Sequence, residues 1–303
     1  MIENNPTRTK TIQNNWFREI NRRWSKFKKV TIDELYTYRT TVNNALGFEF
    51  DMNASQQRTY MAFLQAQINE ILLGGGEGLD WQNYYQAQAY QRGIEATRKS
   101  LISMGASLAP TADELLRASG LTTFTATASL GSISTAPIHA DALEFLFGRS
   151  IERLKGWTDA MATQTRQILH DGITNGEGIA EISRKMVDRQ NVSRSRARVI
   201  ARTETIQAYQ VSNANEAERA GEEIGEEVKM RWLSGLGPSV RHLHATWHGT
   251  ITSISEYRRR IQVSPWNCVC GAQEVLEEFI TPAKQEKFKK EREVLLAKEK
   301  NRK

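Results

Sequence analysis

The feature that most constrains this chain is a stripe of apolar residues at helical spacing. Leu143, Phe147, Ile151, Leu154, Trp157, Met161 and Ile168 fall on one face of a helix about thirty residues long. A stripe of that length is a buried face, so the chain from Pro137 onward is committed to helix packing until Gly172, Gly176 and Gly178 interrupt it. The same periodicity recurs upstream. It predicts helices over Asn14–Lys29, Thr31–Leu46 and Ser55–Leu73, the last stopped by Gly74-Gly75-Gly76-Glu77-Gly78, and a helix capped by Asp80 that runs to Met104. Downstream it predicts a short helix near Ile179–Val187 and a longer one capped by Ser193 that ends near Ala220. Strand signals are few: Val228–Leu233, Glu274–Ile280, and Thr122–Thr127 within a Thr/Ser/Ala/Gly-rich stretch that reads as an exposed linker or hairpin arm. The expected fold class is α+β: a mostly helical N-terminal half, a smaller α+β C-terminal domain and a helical basic tail. The expected boundaries are 1–136, 137–281 and 282–303.

Charge is concentrated at the two ends. Residues 1–30 hold eight basic against two acidic side chains and residues 281–303 nine against four, so a net charge of +6 conceals a mildly acidic middle. Clustered Lys and Arg suit contact with nucleic-acid backbone, which needs no particular sequence; solvated ends are the alternative. In the tail the candidates for DNA contact are Lys287, Lys289, Lys290 and Arg292. The first helix is amphipathic and basic, with Trp16, Ile20, Trp24 and Phe27 on one face. That face suits docking on a partner or on the protein's own core better than a membrane surface. No run of the roughly 18 to 20 apolar residues needed for a bilayer span is present, and no secretory signal is readable, so assembly in a cytoplasm is expected. Cys268 and Cys270, the two cysteines, are one residue apart, too close for a useful bridge. They are expected to be reduced.

Two groups of residues stand out near the C-terminus. Glu204 falls on the small and apolar stripe of Ala197, Ile200, Ala201, Ala208 and Val211. A buried carboxylate needs a partner, and Arg241 is the expected one. Further on, His242, His244 and His248 lie within seven residues, followed closely by both cysteines. Imidazole and thiolate are zinc's preferred ligands, which gives one reading: a structural zinc held by His244, Cys268 and Cys270, with His248 as a fourth ligand. The spacing matches no standard zinc finger, and core histidines with small buried thiols are the other reading.

The ordered set Ile200-Ala201-Arg202-Thr203-Glu204, Trp232-Leu233-Ser234, Arg241-His242-Leu243-His244 with Gly249, and Pro265-Trp266-Asn267-Cys268-Val269-Cys270 resembles the Mu F-like head-morphogenesis domain of tailed-phage minor head proteins. In that family an Ala-Arg-Thr-Glu helix precedes Trp-x-Ser/Thr, an Arg-x-x-His with a Gly five residues on, and Asn-Cys-Arg-Cys. The resemblance makes Arg202, Glu204, Trp232, Arg241, Gly249 and Asn267 its structural motif. Pro6-Thr7-Arg8-Thr9, Ala89-Tyr90-Gln91-Arg92-Gly93 and the Arg149–Gly176 helix look like upstream landmarks of longer members. The departures are Gly237 where many relatives have an Asp, Ser239 where they often have an Arg, and Val269 in place of the Arg of Asn-Cys-Arg-Cys.

What the resemblance implies is a structural, non-enzymatic minor head protein, present in several copies per head and located inside the virion near the portal. It would act in head assembly and in DNA packaging or ejection. Its expected partners are the portal protein, the major capsid protein or scaffold, and double-stranded phage DNA without regard to sequence; no membrane is expected. The rival class is a metal-dependent nuclease or a nucleotide-modifying enzyme carried in the head. Against it stand the lack of a Gly-rich phosphate loop and of paired carboxylates, with Glu256 the isolated nearest acid in the His-rich loop. No cofactor other than the zinc of the first reading is expected.

Overall fold

The computed structural model describes residues 6–38, 52–74, 80–111, 114, 137–235, 240–264 and 266–300. Thr122–Thr127, most of the glycine run after Leu73, and the end of the Thr31–Leu46 segment lie outside them. In chain order the elements are α1 (Lys10–Thr37), α2 (Ala54–Gln67) continued by a π-helical stretch (Ile68–Leu73), α3 (Asp80–Ser103), α4 (Pro137–Thr174), α5 (Ile179–Ile224), β1 (Lys229–Leu233), α6 (His242–Trp247), β2 (Ile251–Thr252), α7 (Ile254–Gln262), β3 (Gly271–Val275), a 3-10 turn (Glu277–Phe279) and α8 (Pro282–Lys300). The fold is mostly helical with one small antiparallel sheet, ordered β2-β1-β3. No described helix is long and apolar enough to cross a membrane.

Several helices are longer than the sequence predicts. Thr31, where a break is expected, continues α1, because its hydroxyl donates to the Phe27 carbonyl at 2.8 Å and so is satisfied within the helix. Ser193 caps nothing: it is buried in the interior of α5, which runs unbroken for 46 residues. No Gly or Pro stands between Ile179 and Ala220 to stop it. The expected strand over Glu274–Ile280 is displaced toward the N-terminus, since β3 ends at Val275 and a 3-10 turn follows.

The chain divides into two compact units, each discontinuous in sequence. One comprises Asn15–Gln82 and Gly148–Ala201. Its core gathers Leu35, Tyr60, Leu169, Ile182 and Met186, and the rings of Trp24 and Trp157 lie 4.7 Å apart. Asn53 caps α2 in a reciprocal capping box with Gln56. The α1 face proposed for docking belongs to the interior of the protein: Trp16, Ile20, Trp24 and Phe27 are between 0% and 4% exposed. These four side chains are core residues, so of the two uses expected for this face, packing on the protein's own core holds and docking on the portal does not. Burying two indoles and a phenyl ring is the strongest apolar contribution available to α1.

The other unit comprises Met1–Asn14, Asn83–Phe147 and Arg202–Lys303. It holds two apolar clusters. In one, Tyr90 and Ile94 of α3 meet Leu143 and Leu146 of α4 and Ala208 of α5. The α3 and α5 backbones approach closely at Gly93, where a Cβ would lie 1.8 Å from the Ser212 hydroxyl and 2.7 Å from the Tyr209 carbonyl. The other cluster lies under the sheet. Met230 and Trp232 of β1, Ala272 of β3, Tyr257 and Ile261 of α7, and Ala214, Ala217 and Ala220 of α5 form it together with both cysteines. The alanines of α5 let the sheet come close to the helix.

Candidate functional site

Helix α5 fixes the Asn267–Cys270 segment from one side. Arg202 Nη1 donates to Asn267 Oδ1 at 2.9 Å, and the Asn267 amide donates to Thr203 Oγ1 at 3.0 Å. Two turns further along the helix, Gln210 Nε2 donates to the Cys270 carbonyl at 2.7 Å. Asn267 itself has φ 65°, in the left-handed region that Asn tolerates better than most residues. The turn it makes directs both following thiols inward.

The opposite side is built by β1 and α6. Trp232 is fully buried and touches three rings edge-on: His244, Trp247 and Tyr257, with centroids 5.1 to 5.9 Å away. His244 stacks on Trp247 one turn along α6, and its main-chain carbonyl accepts from the Ser234 hydroxyl. These contacts aim His244 Nδ1 at the cysteines, 3.3 Å from Cys268 Sγ and 3.3 Å from Cys270 Sγ. All three residues are buried and their ligand atoms lie within 4.8 Å of one another. The two thiols titrate as a pair. A hydrogen bond from the Cys270 thiol, opposed by burial and helped by His244, pulls Cys268 down to about 5, and the same bond together with burial pushes Cys270 well above its ordinary value.

The structure thus brings His244, Cys268 and Cys270 together and leaves His248 out. His248 Nδ1 accepts from the Ser234 amide at 3.1 Å, so its proton sits on Nε2, which faces Glu291 Oε2 of α8 at 3.2 Å. Burial pushes the His248 imidazole below its ordinary value, and both of its nitrogens are engaged away from the cysteines.

The remaining motif residues surround the cluster. Glu204 is buried as expected, but Gln86 Nε2 of α3 donates to it at 3.2 Å, and the expected Arg241 is elsewhere. Arg241 is exposed and donates to the Trp266 carbonyl at 3.0 Å, closing the same turn from outside. Gly249 (φ 74°) turns the chain between α6 and β2, and Phe288 of α8 packs where its side chain would be. At the N-terminal end of the unit, Pro6 and Thr7 lie against Gly271, the residue after Cys270. Glu256 is bound to Arg259 and Arg260 of its own helix, at 2.6 and 3.0 Å. In the tail, Lys287, Lys289 and Lys290 are exposed, whereas Arg292 is half-buried.

Sequence reasoning missed the buried polar network on the far side of α5. His139, at the start of α4, joins the Tyr90 hydroxyl (2.9 Å) to Glu216 (3.1 Å), and Glu216 also pairs with Arg98 (3.1 Å) and Arg219 (2.7 Å). Burial raises the Glu216 carboxyl, but hydrogen bonds from Arg219, His139 and Arg98 outweigh it and bring it down to about 2. The signal was available: Glu216 lies twelve residues after Glu204 on the same helix, among Ala214, Ala217 and Ala220.

Residues 163–273 match the family model described as Phage Mu protein F like protein. The matched segment begins within α4, ends within β3, and contains the cluster and every motif residue that surrounds it. No curated protein and no solved structure matches the chain.

Proposed function

We propose that this chain, a phage head protein by the Mu F-like match over residues 163–273, is a structural minor head protein of a tailed bacteriophage. It sits inside the head at the portal vertex and acts in head assembly and in DNA packaging or ejection. The match carries this reading. It is supported by the motif residues themselves, which make architecture: Arg202 and Asn267 fix a turn, Trp232 anchors the sheet, and Glu204 ties α5 to α3.

The enzymatic alternative gains little from the site. Metal-assisted phosphodiester hydrolysis uses carboxylate ligands and an approachable metal. The cluster holds one imidazole and two thiols, all buried, and Glu256 is occupied on α7.

With the Trp16 face buried, docking on the portal falls to other surfaces of the protein. DNA, in this reading, meets the tail, where α8 presents Lys287, Lys289 and Lys290 to solvent. The test is co-expression of the tagged chain with the portal protein of the same phage, followed by affinity capture and by sedimentation with procapsids. Association with portal or procapsid is expected; if the chain is recovered with neither, the reading fails.

A further inference from the structure

The site around His244 is built before anything binds there. Asn267 and Cys270 are held by Arg202, Thr203 and Gln210 of α5, and His244 is held by Trp232, Trp247 and Ser234. Neither set of restraints involves the imidazole nitrogen or the sulfurs that converge. Three donor atoms of the kind that bind soft metals therefore meet in an aromatic-walled interior, where shape alone would be satisfied by apolar side chains.

We propose that His244 Nδ1, Cys268 Sγ and Cys270 Sγ ligate one zinc ion, with a water or another small donor in the fourth position. Tetrahedral zinc with Zn–S near 2.3 Å and Zn–N near 2.0–2.1 Å sets nitrogen and sulfur about 3.5 Å apart. Both His–Cys distances are 3.3 Å, and the three atoms lie within 4.8 Å. Each His–Cys pair need only widen by about 0.2 Å to reach that spacing.

The donor set also selects the metal. Two thiolates and an imidazole suit zinc and disfavour magnesium, calcium and manganese, which take oxygen. The fourth donor comes from outside the His-rich segment's other candidates: His248 is turned to Ser234 and Glu291, and residues 236–239, Leu-Gly-Pro-Ser, carry no imidazole, thiol or carboxylate. Zinc here would tie the start of α6 to the strand that begins at Gly271, across the two turns that the motif residues shape. This goes beyond the head-protein reading and does not depend on it.

The test is metal content of the full chain purified without chelators, followed by exchange with Co²⁺. The expected result is one zinc per chain, and a cobalt form with a thiolate charge-transfer band and the intense visible bands of a tetrahedral site. Cys268→Ser and Cys270→Ser should each lose the zinc and the charge-transfer band, while His242→Ala, an exposed neighbour, keeps both. Because the ligand variants could misfold, the wild-type chain supplies a second measurement. Stripping zinc with a chelator should raise the alkylation rate of the two cysteines at least tenfold, and adding Zn²⁺ back should restore protection. Zinc well below one per chain in the wild type, equal zinc in the Cys→Ser variants, or an alkylation rate indifferent to chelator would each overturn the proposal.

Discussion

Asn267 concentrates several demands on one residue. Its φ of 65° favours Asn or Gly, its side chain accepts from Arg202, and its amide donates to Thr203. Asn267→Ala would lose the hydrogen bond and strain the backbone, each worth roughly 1 to 2 kcal/mol. Asn267→Gly loses only the first. Thermal or denaturant unfolding should therefore rank wild type above Asn267→Gly above Asn267→Ala, with Ala about 2 kcal/mol or more below wild type. If Ala and Gly were equal, the left-handed turn would not be the constraint. Gly93 makes a different demand, that of space. Gly93→Ala places a methyl against Ser212 Oγ and the Tyr209 carbonyl, and overpacking of this kind costs about 1 to 3 kcal/mol. Adding Ser212→Ala should recover part of that loss, because one of the two clashing atoms is removed; an additive double variant would place the strain elsewhere. The sequence shows that Gly93 and Asn267 are special, but neither partner could be read from it. Glu204 illustrates the reason. Periodicity puts it on a buried face correctly, yet Gln86, which donates to it, is 118 residues away, and a periodic pattern carries no information about which distant helix covers a face.

Helix boundaries divide in the same way at the scale of elements. The stripe from Leu143 to Ile168 is legible because seven large apolar side chains repeat the signal. The unbroken α5 is not, because Ser193 suits a cap and a helix interior about equally when tertiary contacts can bury it. The His/Cys cluster was legible as a set of residue types. What composition could not supply was the choice of His244 over His248, which depends on the α6 turn and on Glu291 arriving from α8. Helix α8 carries its own prediction. Under the proposed DNA role, a chain ending at Pro282 should bind duplex DNA more weakly. It should also show a salt slope shallower by at least about three, one for each of the exposed Lys287, Lys289 and Lys290. Truncation also removes Phe288 from Gly249 and Glu291 from His248, so the triple Lys→Gln variant, which keeps the helix, is the cleaner comparison. Electrophoretic shifts at two salt concentrations that match wild type for both proteins would count against DNA contact by this element.

For the molecule as a whole, the largest legible asymmetry is charge, basic at both ends and mildly acidic between. The structure adds that part of the acid in the middle is buried and paired. Glu216 is held at about 2 by Arg219, His139 and Arg98 in spite of its burial, whereas a carboxyl in the unfolded chain titrates near its ordinary value of 4.5. Between those two values the unfolded state binds more protons than the folded one. The stability this group contributes is therefore complete above pH 4.5 and is lost as pH falls toward 2, a span worth about 3 kcal/mol. Glu218 and Glu223 are lowered by Arg258 and by the Ala109 amide, respectively, and act in the same direction. Glu274, raised by complete burial, acts in the opposite direction, so acidification favours the folded state at this residue. Because more groups are lowered than raised in this unit, the melting temperature should fall by several degrees between pH 5 and pH 3, and salt should not abolish the fall, since Glu216 and Arg98 are shielded from solvent. Glu216→Gln should be less stable than wild type at neutral pH, because the buried Arg98 guanidinium, which keeps Glu114 at 3.2 Å, loses its other carboxylate partner, a loss of roughly 1.5 to 3 kcal/mol. It should also lose much less on acidification. The difference between the two pH profiles isolates the buried pair from the exposed charges. A wild-type melting temperature that stays flat from pH 5 to pH 3 would mean that the Glu216 network does not hold its charge in the folded protein.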